Sequence, residues 1–275
     1  MQLKALLPIV LGILAFSTLV NAQTIHVAHC LAGCPVGTPA RNELVLRNLF
    51  AVSVNQQTGV ADWVSYRILK DTVGVASLLP RDWQADDLLQ GGIRLEALSG
   101  AEASLRQPNL ENQQDRDYRL TEVLINPGDQ GHLVPLSSFA GTSYWPDLNL
   151  LSVMSLLKSD MRLGPWSRLD QAINGLAQAQ GEIFVLVGPV YSLNQTTNRV
   201  LADEDGIIPE AFFKIVANQA GEMSVFLFDQ NLLQHANYCQ MSELTEIESA
   251  TGLDLFPQSP QWPTGSLDQQ LGCIQ

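Results

Sequence analysis

Apolar and polar residues alternate in two stretches near the start of the chain, residues 44–54 (LVLRNLFAVSV) and residues 62–69 (DWVSYRIL). Alternation with a period of two is typical of β-strands that bury one face. The segment between them, residues 55–59 (NQQTG), has the composition of a turn. The two stretches therefore predict a β-hairpin.

A helical pattern is clearest in residues 165–180, where apolar residues recur at intervals of three and four. Pro165 suits the first turn of this helix, and Gly181 is expected to end it. Residues 148–161 also look helical. Thr245, with Glu248 three residues later, predicts a capping box for a last helix that ends at Gly252.

Three short apolar runs in the second half of the chain, residues 183–187, 211–216 and 224–228, are typical of buried strands. Residues 81–117 are rich in Asp, Gln, Glu and Gly and show no clear periodicity, which predicts long surface loops. Strands and helices in this mixture predict an α+β fold with a central antiparallel sheet flanked by helices.

The first 22 residues predict export. Lys4 precedes an apolar run from Leu6 to Leu19, and residues 20–22 (VNA) have the small side chains of a cleavage site. The run is shorter than the roughly 20 apolar residues that cross a bilayer, so it predicts a signal peptide rather than an anchor. We expect a secreted or periplasmic protein with no membrane partner. No linker rich in Pro, Ser or Gly divides residues 23–275, which predicts a single domain.

The four cysteines, Cys30, Cys34, Cys239 and Cys273, predict disulfides, because an even number in an oxidising compartment usually pairs. Local pairing joins Cys30 to Cys34 and Cys239 to Cys273. A zinc site is the alternative, but these spacings are not those of a zinc ribbon.

The net charge is strongly negative, −13 for the full chain, and it becomes −14 once Lys4 leaves with the signal peptide. Proteins that grip nucleic acid through broad electrostatics have basic surfaces whose contacts release counterions. The charge therefore argues against that mode of binding and leaves room for a local cationic site. The sequence leaves open whether the protein is a homodimer.

Among the four histidines, only His132 stands in a context that suggests catalysis. The segment Asp129-Gln130-Gly131-His132 follows a Pro-Gly turn, the small Gly131 lets another group approach the backbone, and Asp129 could orient an imidazole. The alternative is a histidine that fixes a loop through a hydrogen bond.

Five segments that follow one another around His132 resemble the DNA/RNA non-specific endonuclease family, the secreted ββα-metal or His-Me finger nucleases. They are Gly131 to Pro135, Ala140 to Trp145, Leu148-Asn149, Lys158 to Asp160 and Gly164 to Asp170. Further matching segments cover nearly the whole mature chain: Cys30 to Pro35, Ala61 to Tyr66, Val187 to Tyr191, Phe226 to Gln230, Tyr238 to Gln240 and Leu271 to Cys273. The resemblance implies a ββα element that carries His132, and it also implies the two local disulfides.

The resemblance implies roles for particular residues. His132 matches the general base, Arg81 matches an arginine that contacts the phosphate, and Asp170 stands where the family has a supporting glutamate. Asp129 keeps the first residue of the family's Asp-Arg-Gly-His motif, while Gln130 replaces its arginine, and both are candidate substrate contacts.

The family implies one Mg²⁺ held by an asparagine four residues before the tryptophan that matches Trp166. Here Arg162 occupies that position. A guanidinium has no lone pair to give a metal ion, but its fork geometry suits phosphate. Arg162 is therefore a candidate substrate-binding residue; its alternative role is a salt bridge with Asp160 or Asp170.

Two functions follow from these residues. The first is an exported endonuclease that hydrolyses DNA and RNA with His132 as general base and with Arg162 and Arg81 on the phosphate. The second is a catalytically degenerate relative that keeps the fold and binds a nucleic acid or a protein.

Overall fold

The computed structural model describes residues 26–56, 59–81, 84–89, 130–191, 209–258 and 264–273. Within these ranges the chain forms a six-stranded sheet, a two-stranded sheet and three α-helices. The strands are β1 (Glu43–Leu46), β2 (Phe50–Val54), β3 (Ala61–Leu69), β4 (Gln130–His132), β5 (Met154–Leu156), β6 (Glu182–Val190), β7 (Ala211–Ala217) and β8 (Met223–Asp229). The helices are α1 (Ser159–Met161), α2 (Ser167–Gln180) and α3 (Leu244–Thr251).

The six-stranded sheet is antiparallel throughout, with strand order β1-β2-β3-β6-β7-β8. This architecture confirms the predicted α+β class with a central antiparallel sheet. The three strands predicted from apolar runs are present as β6, β7 and β8, each slightly longer than its run.

The first predicted strand is wrong in one respect, because residues 44–54 form two strands and not one. Residues 47–49 turn the chain, the amide of Arg47 donates to the carbonyl of Phe50, and β1 pairs back on β2. The turn contains the polar pair Arg47-Asn48 but no Gly or Pro, so it lacks the usual sequence marker of a turn. Strand β3 lies on the other side of β2, as the hairpin prediction expected.

Buried side chains lie on both faces of the sheet because alternate residues of each strand point to opposite faces. One face carries Tyr66, Phe212 and Phe228 and packs with α2 and the segment before it. The other face carries Trp63, Phe213 and Ile215 and packs with α3. The two layers explain why β7 is buried along its whole length and β3 along almost all of it.

The ββα element consists of the antiparallel pair β4–β5 and the helical segment that follows it. The predicted helix over residues 148–161 is wrong: this stretch forms 3₁₀ turns at Trp145–Asn149 and Leu151–Val153, then β5, then α1. Most apolar residues of this stretch are buried. In a segment that is buried on several sides, the spacing of apolar residues does not distinguish a helix from a strand or from irregular backbone.

Helix α2 forms two residues later than predicted and ends at Gly181 as expected, with φ 91°. Pro165 lies in a kinked segment, Arg162–Trp166, that joins α1 to α2. Helix α3 ends at Gly252 as predicted, with φ 69°, but its first cap is Glu243 and Thr245 lies inside the helix. The predicted capping box is therefore wrong.

Two disulfides join Cys30 to Cys34 and Cys239 to Cys273, which confirms the predicted local pairing. In the described ranges no helix is long and apolar enough to cross a membrane. The predicted signal peptide at residues 1–22 and, from residue 90 onward, the predicted loop of residues 81–117 lie outside the described residues.

Candidate active site

His132 ends strand β4 and is held by backbone pairing on both sides. It lies opposite Met154 in the β4–β5 ladder, and the next residue, Leu133, donates its amide to the carbonyl of Val153. Leu133 and Val134 are fully buried, while His132 stays half-buried. The imidazole is therefore fixed at its base by the core.

A chain of two hydrogen bonds fixes the tautomer of His132. The Nδ2 group of Asn149 donates to the carbonyl of Pro80 over 3.0 Å, which orients the amide, because a carbonyl oxygen only accepts. Asn149 Oδ1 then faces His132 Nε2 at 3.1 Å, so Nε2 carries the ring proton and donates it. The lone pair of the neutral ring is consequently on Nδ1, the nitrogen that can act as a base.

Asn149 also connects His132 to the segment that carries Arg81. The amide of Gln84 donates to the carbonyl of Asn149, and the amide of Leu151 donates to the carbonyl of Gln84. Together with the side-chain bond from Asn149 to Pro80, these contacts hold the backbone before and after Arg81. The predicted phosphate-contacting arginine is thus brought to the predicted base.

Arg162 reaches the same place from the kinked segment between α1 and α2. A Cβ atom built on Gly131 would lie 2.6 Å from Arg162 Cδ and 3.1 Å from Leu157 Cδ1. The side chain of Arg162 therefore crosses the backbone of β4 one residue before His132. This contact confirms the expectation that Gly131 allows a close approach.

The kink that presents Arg162 depends on Gly164. Its backbone dihedrals, φ −96° and ψ −110°, are not helical, and a Cβ atom there would lie 2.3 Å from the carbonyl oxygen of Gln234. Arg168, at the start of α2, donates to the carbonyls of Gln234 and Ala236 in the same chain segment. The segment after β8 therefore buttresses the turn that carries Arg162.

The charge environment of His132 is cationic. Burial lowers the pKa of His132 to about 3, and the positive charges of Arg81 and Arg162 act in the same direction, while the hydrogen bond with Asn149 opposes them. A neighbouring positive charge disfavours the imidazolium form. His132 is therefore a neutral imidazole at physiological pH, the form that accepts a proton.

Asp170 lies on the face of α2 that packs against the sheet. It is ion-paired with Lys214 of β7, whose side chain is fully buried and whose Nζ lies 3.6 Å from the ring centroid of Trp166. Burial raises the pKa of Asp170 and lowers that of Lys214, and the charge of each opposes the shift of the other. Asp170 therefore binds Lys214, so the salt bridge between Arg162 and Asp170 that was considered as an alternative does not form. Asp160, the other carboxylate considered for a salt bridge with Arg162, is exposed.

Two predicted site residues, Asp129 and Gln130, lie at the boundary of the described range that begins at residue 130. Asp129 lies outside the described residues, and only the backbone of Gln130, in β4, lies inside them. Their predicted roles remain predictions.

The described residues do not fit a protein-bound Mg²⁺, which takes oxygen ligands in near-octahedral geometry. Asn149 Oδ1 accepts the proton of His132 Nε2, the carboxylate of Asp170 binds Lys214, and position 162 carries a guanidinium. Among the described residues no three His, Cys, Asp or Glu side chains gather as a candidate metal site.

Sequence reasoning missed the roles of Asn149 and Lys214. Asn149 lies in one of the matched segments, between Leu148 and Leu150, but nothing in its neighbours indicates a bond to a histidine 17 residues away. Lys214 had a usable signal, because a lone lysine within the apolar run of β7 must be buried and buried lysines need a partner.

An imidazole at the end of β4, paired with β5 and followed by a helical segment whose Arg162 crosses the strand beside it, has the arrangement of a ββα element. Comparisons with known proteins agree. Residues 32–261 match the DNA/RNA non-specific endonuclease family. The protein "Nuclease" of Serratia marcescens is 30% identical, over 96% of this chain and 94% of that protein. The chain belongs to the DNA/RNA non-specific endonuclease family.

A solved structure shows the same fold. A chain in the crystal structure of the EndoG/EndoGI complex superposes with a TM-score of 0.58 at 16% sequence identity, over 83% of this chain and 92% of that one. At this identity the likeness concerns the fold alone, and it confirms the predicted fold class.

Proposed function

We propose that the chain is an exported endonuclease that hydrolyses phosphodiester bonds of DNA and RNA, with His132 Nδ1 as general base. Membership of the family supports the reaction class and the substrates. The observation that carries the assignment of the base is the hydrogen-bond chain from His132 through Asn149 to Pro80, because it places the ring's lone pair on Nδ1.

In the proposed reaction, Nδ1 takes a proton from a water molecule whose oxygen attacks phosphorus. One P–O bond forms to the water oxygen, the P–O bond to the leaving sugar oxygen breaks, and that oxygen takes a proton from solvent. The guanidinium of Arg81 and that of Arg162 are suited to the non-bridging phosphate oxygens, where negative charge develops. His132 is neutral before the step, as a base must be.

Export is part of the proposal. Two disulfides, one of them between residues only four apart in sequence, suit an oxidising compartment, and the apolar leader at residues 1–22 has the pattern of a signal peptide.

A catalytically degenerate relative is the second candidate, and one specific observation favours it. Arg162 stands where the resemblance to the family implies a metal ligand. Asp170 stands where it implies a supporting carboxylate, and Asp170 is ion-paired with Lys214. Under this alternative the site binds a nucleic acid or a protein and does not cut.

The experiment that separates the two candidates is degradation of plasmid DNA and RNA by the purified, disulfide-oxidised protein. His132→Ala is compared with His26→Ala, a matched control because His26 is exposed. Both variants are checked for an unchanged melting temperature. An endonuclease loses cleavage in His132→Ala only. Equal cleavage by all three proteins, or none by the wild type in either Mg²⁺ or EDTA, contradicts the proposal.

A further inference from the structure

We infer that the site binds its phosphodiester directly through Arg162, with a guanidinium fixed to the protein in the position of a divalent cation, so that binding requires no metal ion. This inference rests on the proposed function for its choice of substrate. It concerns binding of the phosphate, and its test does not depend on turnover.

The first support is the location of Arg162 relative to the base. Its side chain passes over Gly131 in van der Waals contact with the backbone of β4, one residue before His132. An anion bound at the head of this side chain therefore lies beside the imidazole, where an activated water would attack phosphorus. Arg162 reaches this position because Gly131 has no side chain.

The second support is that the backbone presenting Arg162 is held in place. Gly164 lets the chain turn against the carbonyl of Gln234, and Trp166 packs edge-on against Phe212 and Phe228 of the sheet. Lys214 lies over the ring of Trp166 from the sheet side. An arginine on such a rigid turn loses less conformational freedom on binding than one on a surface loop.

The third support is how the neighbouring oxygen atoms are used. Asn149 Oδ1 accepts from His132, and the carboxylate of Asp170 is buried against Lys214 on the sheet side of α2. Both of these side-chain oxygen donors, Asn149 and Asp170, are thus engaged with other groups. A divalent cation would also be repelled by the charge of Arg162 itself.

The fourth support is that a second guanidinium acts on the same point. Asn149 bonds both His132 and the carbonyl of Pro80, the residue before Arg81, and Arg162 crosses β4 at Gly131. The two arginines therefore come to the imidazole from separate chain segments, and the positive charge of each acts on His132. Two convergent guanidiniums on an otherwise strongly acidic protein form a local anion site.

The test measures binding of a phosphorothioate-linked DNA tetranucleotide, a phosphodiester analogue that resists cleavage, by titration calorimetry. Each protein is titrated once in EDTA and once in Mg²⁺. We expect the wild type to bind with the same Kd in both conditions, and Arg162→Gln to bind at least tenfold more weakly in both. Arg67→Gln is the matched control, because Arg67 is ion-paired with Glu182 on β3 and β6; its Kd should equal that of the wild type.

A second variant guards against loss of structure. Arg162→Lys keeps the charge and loses the fork, so it should bind with intermediate Kd while near-ultraviolet circular dichroism stays unchanged. The inference is overturned if EDTA abolishes wild-type binding and Mg²⁺ restores it, or if a folded Arg162→Gln variant binds as tightly as Arg67→Gln.

The outcomes also separate this inference from the proposed function. EDTA-insensitive binding that depends on Arg162 supports the inference even if the plasmid assay detects no cleavage, in which case the degenerate alternative holds. Cleavage that requires both His132 and Mg²⁺, together with binding that requires Mg²⁺, supports the proposed function and overturns the inference.

Discussion

Lys214→Met tests the polar contact that joins α2 to the sheet. The substitution preserves most of the side-chain volume and removes the positive charge, which leaves the carboxylate of Asp170 buried without its partner. It also removes the cation that lies 3.6 Å from the centre of the Trp166 ring.

The magnitude follows from the burial of the pair. Lys214 is 0% exposed and Asp170 is 7% exposed, so solvent cannot take over the lost interaction. Removing one partner of such a pair costs about 3–5 kcal/mol of unfolding free energy. For a chain of this size, each kcal/mol lowers the melting temperature by roughly 2–4 °C, which predicts a decrease of about 6–20 °C.

The assay is guanidinium denaturation at pH 8 and pH 5, with Lys70→Met as control because Lys70 is exposed. Burial already raises the pKa of Asp170, and loss of Lys214 raises it further. A carboxyl group whose pKa is raised in the folded state stabilises the fold most at low pH. This stabilisation is lost as the pH rises through the folded-state pKa. The deficit of Lys214→Met should therefore be smaller at pH 5 than at pH 8.

The double variant Lys214→Met with Asp170→Leu completes a mutant cycle. Because the second substitution removes the stranded charge, the double variant should be more stable than Lys214→Met alone. The reasoning is refuted if Lys214→Met loses less than about 1 kcal/mol of unfolding free energy. It is also refuted if the losses measured for Lys214→Met and for Asp170→Leu alone simply add in the double variant.

Three further outcomes concern the site itself. Asn149→Leu should lower kcat by about 10²-fold with little change in KM, because His132 loses the partner that fixes its tautomer; an unchanged kcat contradicts this role. Because the pKa of His132 is lowered to about 3, cleavage should persist below pH 5 and decline only as the imidazole becomes protonated. Arg162→Gln removes a positive charge that lowers this pKa, so the decline should move to higher pH. A wild-type midpoint near pH 6.5 argues against the assigned charge environment. Gly131→Ala should cost about 1–3 kcal/mol in thermal denaturation because Arg162 must move; Gly175→Ala in the open interior of α2 is its control and should stabilise by about 0.5–1 kcal/mol, so equal effects of the two would contradict the contact.

The fold was largely predictable because its strongest signals are local. Period-two alternation indicated β2 and β3, and the apolar stripe of α2 was visible without any tertiary information. The errors arose where local pattern and tertiary pairing diverge. Residues 47–49 turn without Gly or Pro, and residues 154–156 are a strand only because β4 lies beside them.

The site was predictable as a set of residues but not as a set of contacts. His132, Arg81 and Arg162 come together, because Asn149 bonds both His132 and the carbonyl before Arg81, and Arg162 crosses the backbone at Gly131. The partner of Asp170 was not predictable, since Lys214 is 44 residues away and faces it only through the register of β7 in the sheet. Long-range pairings of this kind depend on packing that no short sequence pattern encodes.

The contact between Gly131 and Arg162 couples evolutionary change at neighbouring positions of the site. While the long side chain occupies the space above β4, any larger residue at position 131 meets an occupied volume. A shorter residue at position 162 removes only the nearest of these contacts, because Leu157 Cδ1 would still lie 3.1 Å from the new Cβ atom. We therefore expect positions 131, 157 and 162 to change as a set in any lineage or directed-evolution experiment that rebuilds this site.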